Sequence, residues 1–335
     1  MKYLSVLLFL FFVPFLKAQN IKLSHEIKVE GNLGWDYLSV DEVAQRLFVS
    51  HGNVVNVIDL KTEKVIATIP DTKGVHGIAI ANDLNKAFIT DGADNAISII
   101  NLNTFELIEK VVIQGVKPDA VLYDKFSKKV FAFNAKSNDA TVLDALSNKV
   151  IKTIPLDGKP EFSATNAKGL VYVNIEDKNQ IKVIDTEKLE VIHSWDISPG
   201  DEPSGLAFDL VNNRLFSVCG NSILVVTNAD TGKVITTLPI GEGSDGVFFD
   251  EKRKLIFSSN GSGTLTVIKQ KDKDHYAVVQ TVKTVKGART ITMSKTTGTL
   301  YLPTASFGKA PAPTNDNPNP RAPIIPDSFK ILVVK

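Results

Sequence analysis

The chain has 335 residues, 43% hydrophobic, with 38 Lys and Arg against 37 Asp and Glu. That length is ample for a large buried core, and a formal net charge of +1 predicts no attraction to nucleic acid or to an anionic membrane. A single cysteine, Cys219, excludes an intrachain disulfide; it ends the apolar run Arg214 to Cys219 and reads as a small buried strand residue rather than a reactive thiol.

Residues 1–18 differ in kind from the rest. Lys2 precedes a run from Leu4 to Leu16 broken only by Ser5 and Pro14, and Ala18 supplies a small residue before Gln19. The run is too short to span a bilayer and fits a secretory signal peptide cleaved after Ala18. The expectation is therefore an exported chain, periplasmic or secreted, in which residues 19–335 form one monomeric domain with no transmembrane segment.

From residue 46 onward, strand-like runs follow one another in groups of four. RLFVS (46–50), NVIDL (56–60), KVIATI (64–69) and GIAI (77–80) fill about forty positions, and the pattern then returns. The residues preceding each innermost run are Asp36, His76, Asp119, Glu161, Ser204, Asp245 and Arg289, spaced by 40 to 44 positions. The second runs continue as KAFIT (86–90), KVFAF (129–133), GLVYV (169–173), RLFSV (214–218), KLIFS (254–258) and TLYLP (299–303). The runs are rich in Val, Ile, Thr and Phe and often apolar on both parities, as expected for sheets covered on both faces. No stretch of ten residues carries a 3.6-residue apolar stripe, so essentially no helix is predicted. A strand-only repeat of this period predicts an all-β, seven-bladed β-propeller of four-stranded antiparallel blades.

The seventh unit stops after its third strand, KILVV (330–334). HEIKV (25–29) has no partner of its own and is expected to supply the missing fourth strand, closing the ring and covering an edge. Between the second and third strands of this unit lies 307–327, FGKAPAPTNDNPNPRAPIIPD, whose prolines forbid helix and internal strand pairing. It is expected on the same face as the repeat-joining corners, as a lid or as a solvated insertion.

The units resemble the YVTN-type repeat of YncE-like β-propellers. The resemblance is carried by FITD (88–91), YVNI (172–175), VIDL (57–60), VIDT (183–186), ATIP (67–70), TTLP (236–239) and PSGLAF (203–208), and it covers the chain from about Ile27 to Val334. It implies the architecture strongly and the chemistry weakly, because propellers host many unrelated functions.

Corners between the fourth and first strands, and between the second and third, should emerge on one face. That would gather Trp35, Asp36, His76, Asp119, Glu161, Asp245 and Arg289 around the central opening, with His51 just outside. Four carboxylates at one mouth repel unless offset by His76, Arg289, a bound cation or a cationic ligand. Alternatively, they cap turn amides and face channel water. Two imidazoles and a carboxylate make Asp36, His51 and His76 candidates for a divalent metal ion, the one cofactor suggested. Phosphate-binding loops, nucleophile elbows, C-x-x-C and H-E-x-x-H are missing from the sequence.

Three functions remain open: a binding protein for a small molecule or a protein partner, with its ligand or metal site at the mouth; a metal-dependent lactonase- or lyase-type enzyme; and a protein-interaction scaffold.

Overall fold

Short β-branched runs separated by tight corners can bury both faces only by stacking, and the chain folds accordingly. A computed structural model describes residues 20–314 and 320–335. The expected signal peptide lies outside the described residues, as does Pro318 of the Pro-rich segment. Seven four-stranded antiparallel sheets are present. Blade 1 runs through Leu38–Asp41, Arg46–His51, Val54–Asp59 and Lys64–Ile69, and blades 2 to 6 begin at Val75–Ala81, Pro118–Asp124, Pro160–Thr165, Pro203–Asp209 and Ser244–Asp250. Neighbouring innermost strands touch in sequence, and that of blade 1 also touches that of blade 7, so the ring closes. Among the described residues helix is limited to two single turns, Asn82–Leu84 and Glu176–Lys178. None is long and apolar enough to cross a membrane.

The ring closes as the sequence predicts, with a shifted boundary. Blade 7 consists of Thr292–Met293, Leu300–Thr304, Lys330–Val334 and the N-terminal strand Leu23–Lys28. Ile27 pairs with Ile331 and Glu26 with Leu332, so both chain ends meet in one sheet and its edge is covered.

The core lies between blades. Phe48, Val57, Ile78 and Ile89, for example, form one cluster across blades 1 and 2. Second and third strands are buried on both parities, while outer strands such as Lys64–Ile69 are mostly exposed. The recurrent "VID" has a local cause. Asp59 Oδ1 accepts from the Thr62 and Lys61 amides at 2.7 and 3.1 Å, and Asp144, Asp185 and Asn228 close equivalent turns. These are Asx turns, in which a short side chain stands in for a backbone acceptor. The Thr62 and Lys61 bonds also hold the Asp59 carboxyl below its ordinary pKa.

Candidate functional site

In blades 2, 3, 4 and 6 the second-to-third corner bonds to the connection entering the same blade: Gly92 N to Gly74 O, Ala135 N to Lys117 O, Glu176 N to Lys159 O and Gly261 N to Gly243 O, at 2.9 to 3.0 Å. Both corner sets therefore share one face. At that face the innermost strands of blades 2 to 6 start with a bulge, between Val75 and Ile78, Pro118 and Ala120, Pro160 and Ser163, Pro203 and Leu206, and Ser244 and Gly246. His76, Asp119, Glu161, Ser204 and Asp245 fall inside these bulges, which turn a side chain out of the pleat. Proline opens three of the strands, a position where its missing N–H costs no ladder bond.

Side chains of the second strands, and Thr290 at the entry to blade 7, then lock this backbone. Ser50 Oγ accepts from Asp36 N at 2.8 Å, and Thr90 Oγ1 accepts from Gly77 N at 2.8 Å while donating to Asp119 O at 3.0 Å. Asn174 donates to Ser204 O at 3.0 Å, Ser259 to Arg289 O at 2.5 Å, and Thr290 to Asp36 O at 2.7 Å. The rim is thus held by neighbouring blades rather than by a mobile loop.

The tightest grouping is Asp36, His76 and Asp119, whose ligand-type atoms all lie within 4.8 Å of one another. His76 Nδ1 stands 2.7 Å from Asp36 Oδ2 and 2.8 Å from Asp119 Oδ1. One ring nitrogen carries at most one hydrogen, so two carboxylates converge on a single proton. Burial alone would lower the imidazole pKa, but the hydrogen bonds to Asp119 and Asp36 outweigh it and raise it to about 9.

Across the cup, burial pushes Glu161 up to about 8 even though Lys159 Nζ stands 2.8 Å away. Lys159 also pairs with Glu176. Burial raises Asp245 to about 6 against the opposing charge of Arg289, whose Nε is 2.9 Å from Asp245 Oδ2 and whose Nη2 is 3.6 Å from Asp36 Oδ1. The Arg289 Nε–H has no aligned hydrogen-bond acceptor, so its contact with Asp245 is an ion pair without hydrogen-bond geometry.

The floor of the cup is Tyr37. Its ring meets Phe162 of blade 4, nearly opposite in the ring, at 4.9 Å. Burial, then the charges of Asp245, Asp36, Glu161 and Asp119, push the phenol well above its ordinary pKa. At the register held by Tyr37 and Phe162, blades 2, 5 and 6 carry Gly77, Gly205 and Gly246, where an added Cβ would come within 2.9 Å of a neighbouring blade's backbone. Small residues there let the blades close up, while the two rings fill the axis. Sequence reading missed both aromatics, although each directly follows a rim residue.

Two predicted site residues lie elsewhere. His51 is 2% exposed, bonded through Nδ1 to Asn56 Oδ1 at 3.0 Å and stacked on Phe329 at 4.2 Å. Burial lowers its pKa, and it is absent from the carboxylate–imidazole group; Asp119 takes the place expected for it. The reason is register. His51 ends its second strand rather than starting the corner, and its equivalents Asp91, Asn134, Ile175, Cys219, Asn260 and Thr304 are all buried. Trp35 turns away from the cup, packing on Phe307 at 5.9 Å and Phe329 at 5.4 Å. Cys219 is buried as expected, which pushes its thiol up to about 12.

No family profile matches the chain. It is 24% identical over 182 residues to "Uncharacterized protein YncE" of Salmonella typhi, and equally so to its counterpart in Salmonella typhimurium. Each match covers 52% of this chain and 51% of the relative, so the chain spans about half the length of the curated relatives it matches. A 23% identity over 169 residues links it to the Arabidopsis thaliana "U3 small nucleolar RNA-associated protein 18 homolog", covering 48% of this chain and 31% of that one. Among solved structures, Kuenenia stuttgartiensis hydrazine synthase superposes with a TM-score of 0.71 at 15% identity, over 82% of this chain and 94% of that one. That likeness concerns the fold alone. The seven-bladed ring and its repeat pattern agree with the weak YncE similarity, so the chain resembles the YncE-like β-propellers.

Proposed function

We propose that the chain is an exported binding protein whose acidic cup takes a small ligand together with a divalent cation held by Asp36, His76 and Asp119. The observation that carries this reading is the convergence of Asp36 Oδ2 and Asp119 Oδ1 on His76 Nδ1, at 2.7 and 2.8 Å. A cation on that nitrogen would take over the position of the shared proton and satisfy both carboxylates at once. One imidazole and two carboxylates suit a first-row divalent ion such as Zn²⁺ or Mn²⁺. Glu161, Asp245 and Arg289 would then address the ligand above the closed floor.

Binding must displace the His76 proton, so apparent affinity should tighten as pH rises toward about 9. Titration of chelator-treated protein with Zn²⁺ or Mn²⁺ at pH 6.5 and 8.5, followed by calorimetry, should give tighter binding at the higher pH with about one proton released. His76→Ala should abolish it. Wild-type protein that binds neither ion at either pH would sink the cation reading.

A lactonase- or lyase-type reading draws support from Glu161, whose raised pKa of about 8 would keep it protonated near neutrality as a general acid. Turnover of a lactone panel by the metal-loaded protein, lost in Glu161→Gln, would separate it from simple binding.

Export rests on the segment from Lys2 to Ala18. Mass spectrometry of native protein should find a mature N-terminus at Gln19, and a retained residue 1–18 segment would count against it.

A further inference from the structure

Described residues on both sides of the Pro-rich connection of blade 7 help to wall a second concavity, which meets the cup at Arg289 and has the opposite charge. Its base is ordered by strand-like pairing: Gly308 N donates to Pro323 O at 2.8 Å, Ile325 N to Ser306 O at 2.9 Å, and Phe307 bridges Ile324. The Phe307 ring sits over Gly287, which has φ of +87° and where a Cβ would come within 2.7 Å of that ring. Phe307 also packs on Trp35 at 5.9 Å. Beneath lies a cavity of ≈ 770 Å³ whose walls include Trp35, Lys286, Arg289, Phe307, Arg321 and Ile324. That volume falls in the range of small-molecule sites, about 300–1,000 Å³.

Charge decides what such a space would hold. Among the described residues no Asp or Glu lines it, whereas three cationic residues do. Arg289 is shared with the cup, where Asp245 and Asp36 offset it. Lys286 and Arg321 form no ion pair among the described residues, nor does either side chain make a hydrogen bond there. Two cations with no ion pair among the described residues, lining one concavity, focus a positive potential. A planar guanidinium beside aromatic faces favours a carboxylate joined to a flat apolar body, with bidentate hydrogen bonds at one end and ring contact at the other. We propose that the cavity under the Pro-rich connection is a binding site for a small aromatic carboxylate, anchored by Lys286 and Arg321 and packed against Trp35 and Phe307. This site does not depend on whether the cup holds a cation.

Trp35 supplies the readout. The other tryptophan, Trp195, stands on the outer strand of blade 4 beside His193 and Tyr172 and can be replaced by Phe. In Trp195→Phe protein, 4-nitrobenzoate should quench Trp35 emission saturably, and at least about tenfold more tightly than neutral 4-nitrobenzamide. Adding Lys286→Gln and Arg321→Gln should weaken the carboxylate by about tenfold or more while leaving the melting temperature within about 2 °C. Measurement in the presence of chelator keeps an empty cup from counting for or against the result. Equal binding of acid and amide, unchanged binding in the double Gln variant, or no saturation by about 10 mM would each overturn the assignment.

Discussion

Two sevenfold sets of positions share one face of the ring and have opposite fates. Residues ending the second strands, from His51 through Asn260 to Thr304, are buried to the last member whether polar or apolar. Those entering the innermost strands, from Asp36 to Arg289, keep 12 to 41% of the side chain exposed wherever it forms an ion pair. Both sets contain His, Asp and Asn or Arg, so residue type does not separate them. Backbone does. Each second-strand end keeps at least one ladder partner, and its side-chain bonds form largely within the blade, as in Asn134 donating to Asp139 at 2.6 Å and Thr141 at 3.0 Å. Asn134 Oδ1, Asp91 Oδ1 and His51 Nε2, however, have no hydrogen-bond partner among the described residues. His76, Asp119, Glu161, Ser204 and Asp245 sit on bulges where the ladder skips, and Asp36 and Arg289 precede their strands, so rim side chains are free to meet across blades. A polar residue of the first set is architecture; one of the second is available for chemistry.

The widest separation between the sets should come from Ile175→Ala. Ile175 is fully buried in the cluster between blades 3 and 4. Truncation there should cost about 2–5 kcal/mol, the transfer and cavity terms together, read as a lower midpoint in denaturant unfolding. Rim substitutions at Asp119 or Asp245 should stay well inside that. A rim change that unfolds the ring as strongly as Ile175→Ala would erase the distinction between the two sets.

The same register explains what the sequence could and could not reveal. Blade number, strand order and the closing role of the N-terminal strand follow from local runs repeated every forty-odd positions, and each run carries its own evidence. Asp36, His76 and Asp119 could be placed on one face because register alone fixes the face. His51 was misassigned by a single position: it looks like the first residue of the His-Gly-Asn corner, yet its ladder partner is Val54. Comparison with Ile175 and Cys219 at the equivalent place would have marked it as buried. Tyr37 and Phe162 were invisible for another reason. Their meeting spans blades 1 and 4, and nothing along either strand indicates that two rings will close the axis.

Next in size is a pH effect confined to the rim. His76 has a folded pKa of about 9 against an ordinary 6.5, so its pairing stabilises fully below pH 6.5 and is lost as pH rises through 9. Glu161 and Asp245, raised to about 8 and about 6, also bind protons more tightly in the folded state, and their ionisation lowers stability over the same rising scale. The signs agree, so unfolding free energy should fall from about pH 5 to pH 9. The His76 share is about 2–3 kcal/mol. On the acid side, Asp41 and Asp119, held below the ordinary carboxylate value, set the limit, because their stabilisation disappears as they protonate. In His76→Asn the slope between pH 6.5 and 9 should flatten. An unchanged slope would mean that the paired imidazole does not govern it.

The smallest effect is the most discriminating. Asp245→Asn removes a carboxylate that burial already disfavours, while Arg289 keeps Asp36 at 3.6 Å as a counter-charge. Loss of the closer ion pair opposes relief of repulsion from Asp36 and Asp119, so the net change at pH 7.5 should lie within about 1 kcal/mol of zero. Near pH 4.5, where the wild-type carboxyl is mostly protonated, Asn and Asp should be nearly equivalent. The variant should therefore be favoured or disfavoured only as pH rises past about 6. If Asp245→Asn instead cost several kcal/mol at every pH, the rim carboxylates would be structural members like Asn134. If it cost little yet weakened occupation of the cup, the acidic mouth would be a feature maintained against self-repulsion for the sake of what it binds.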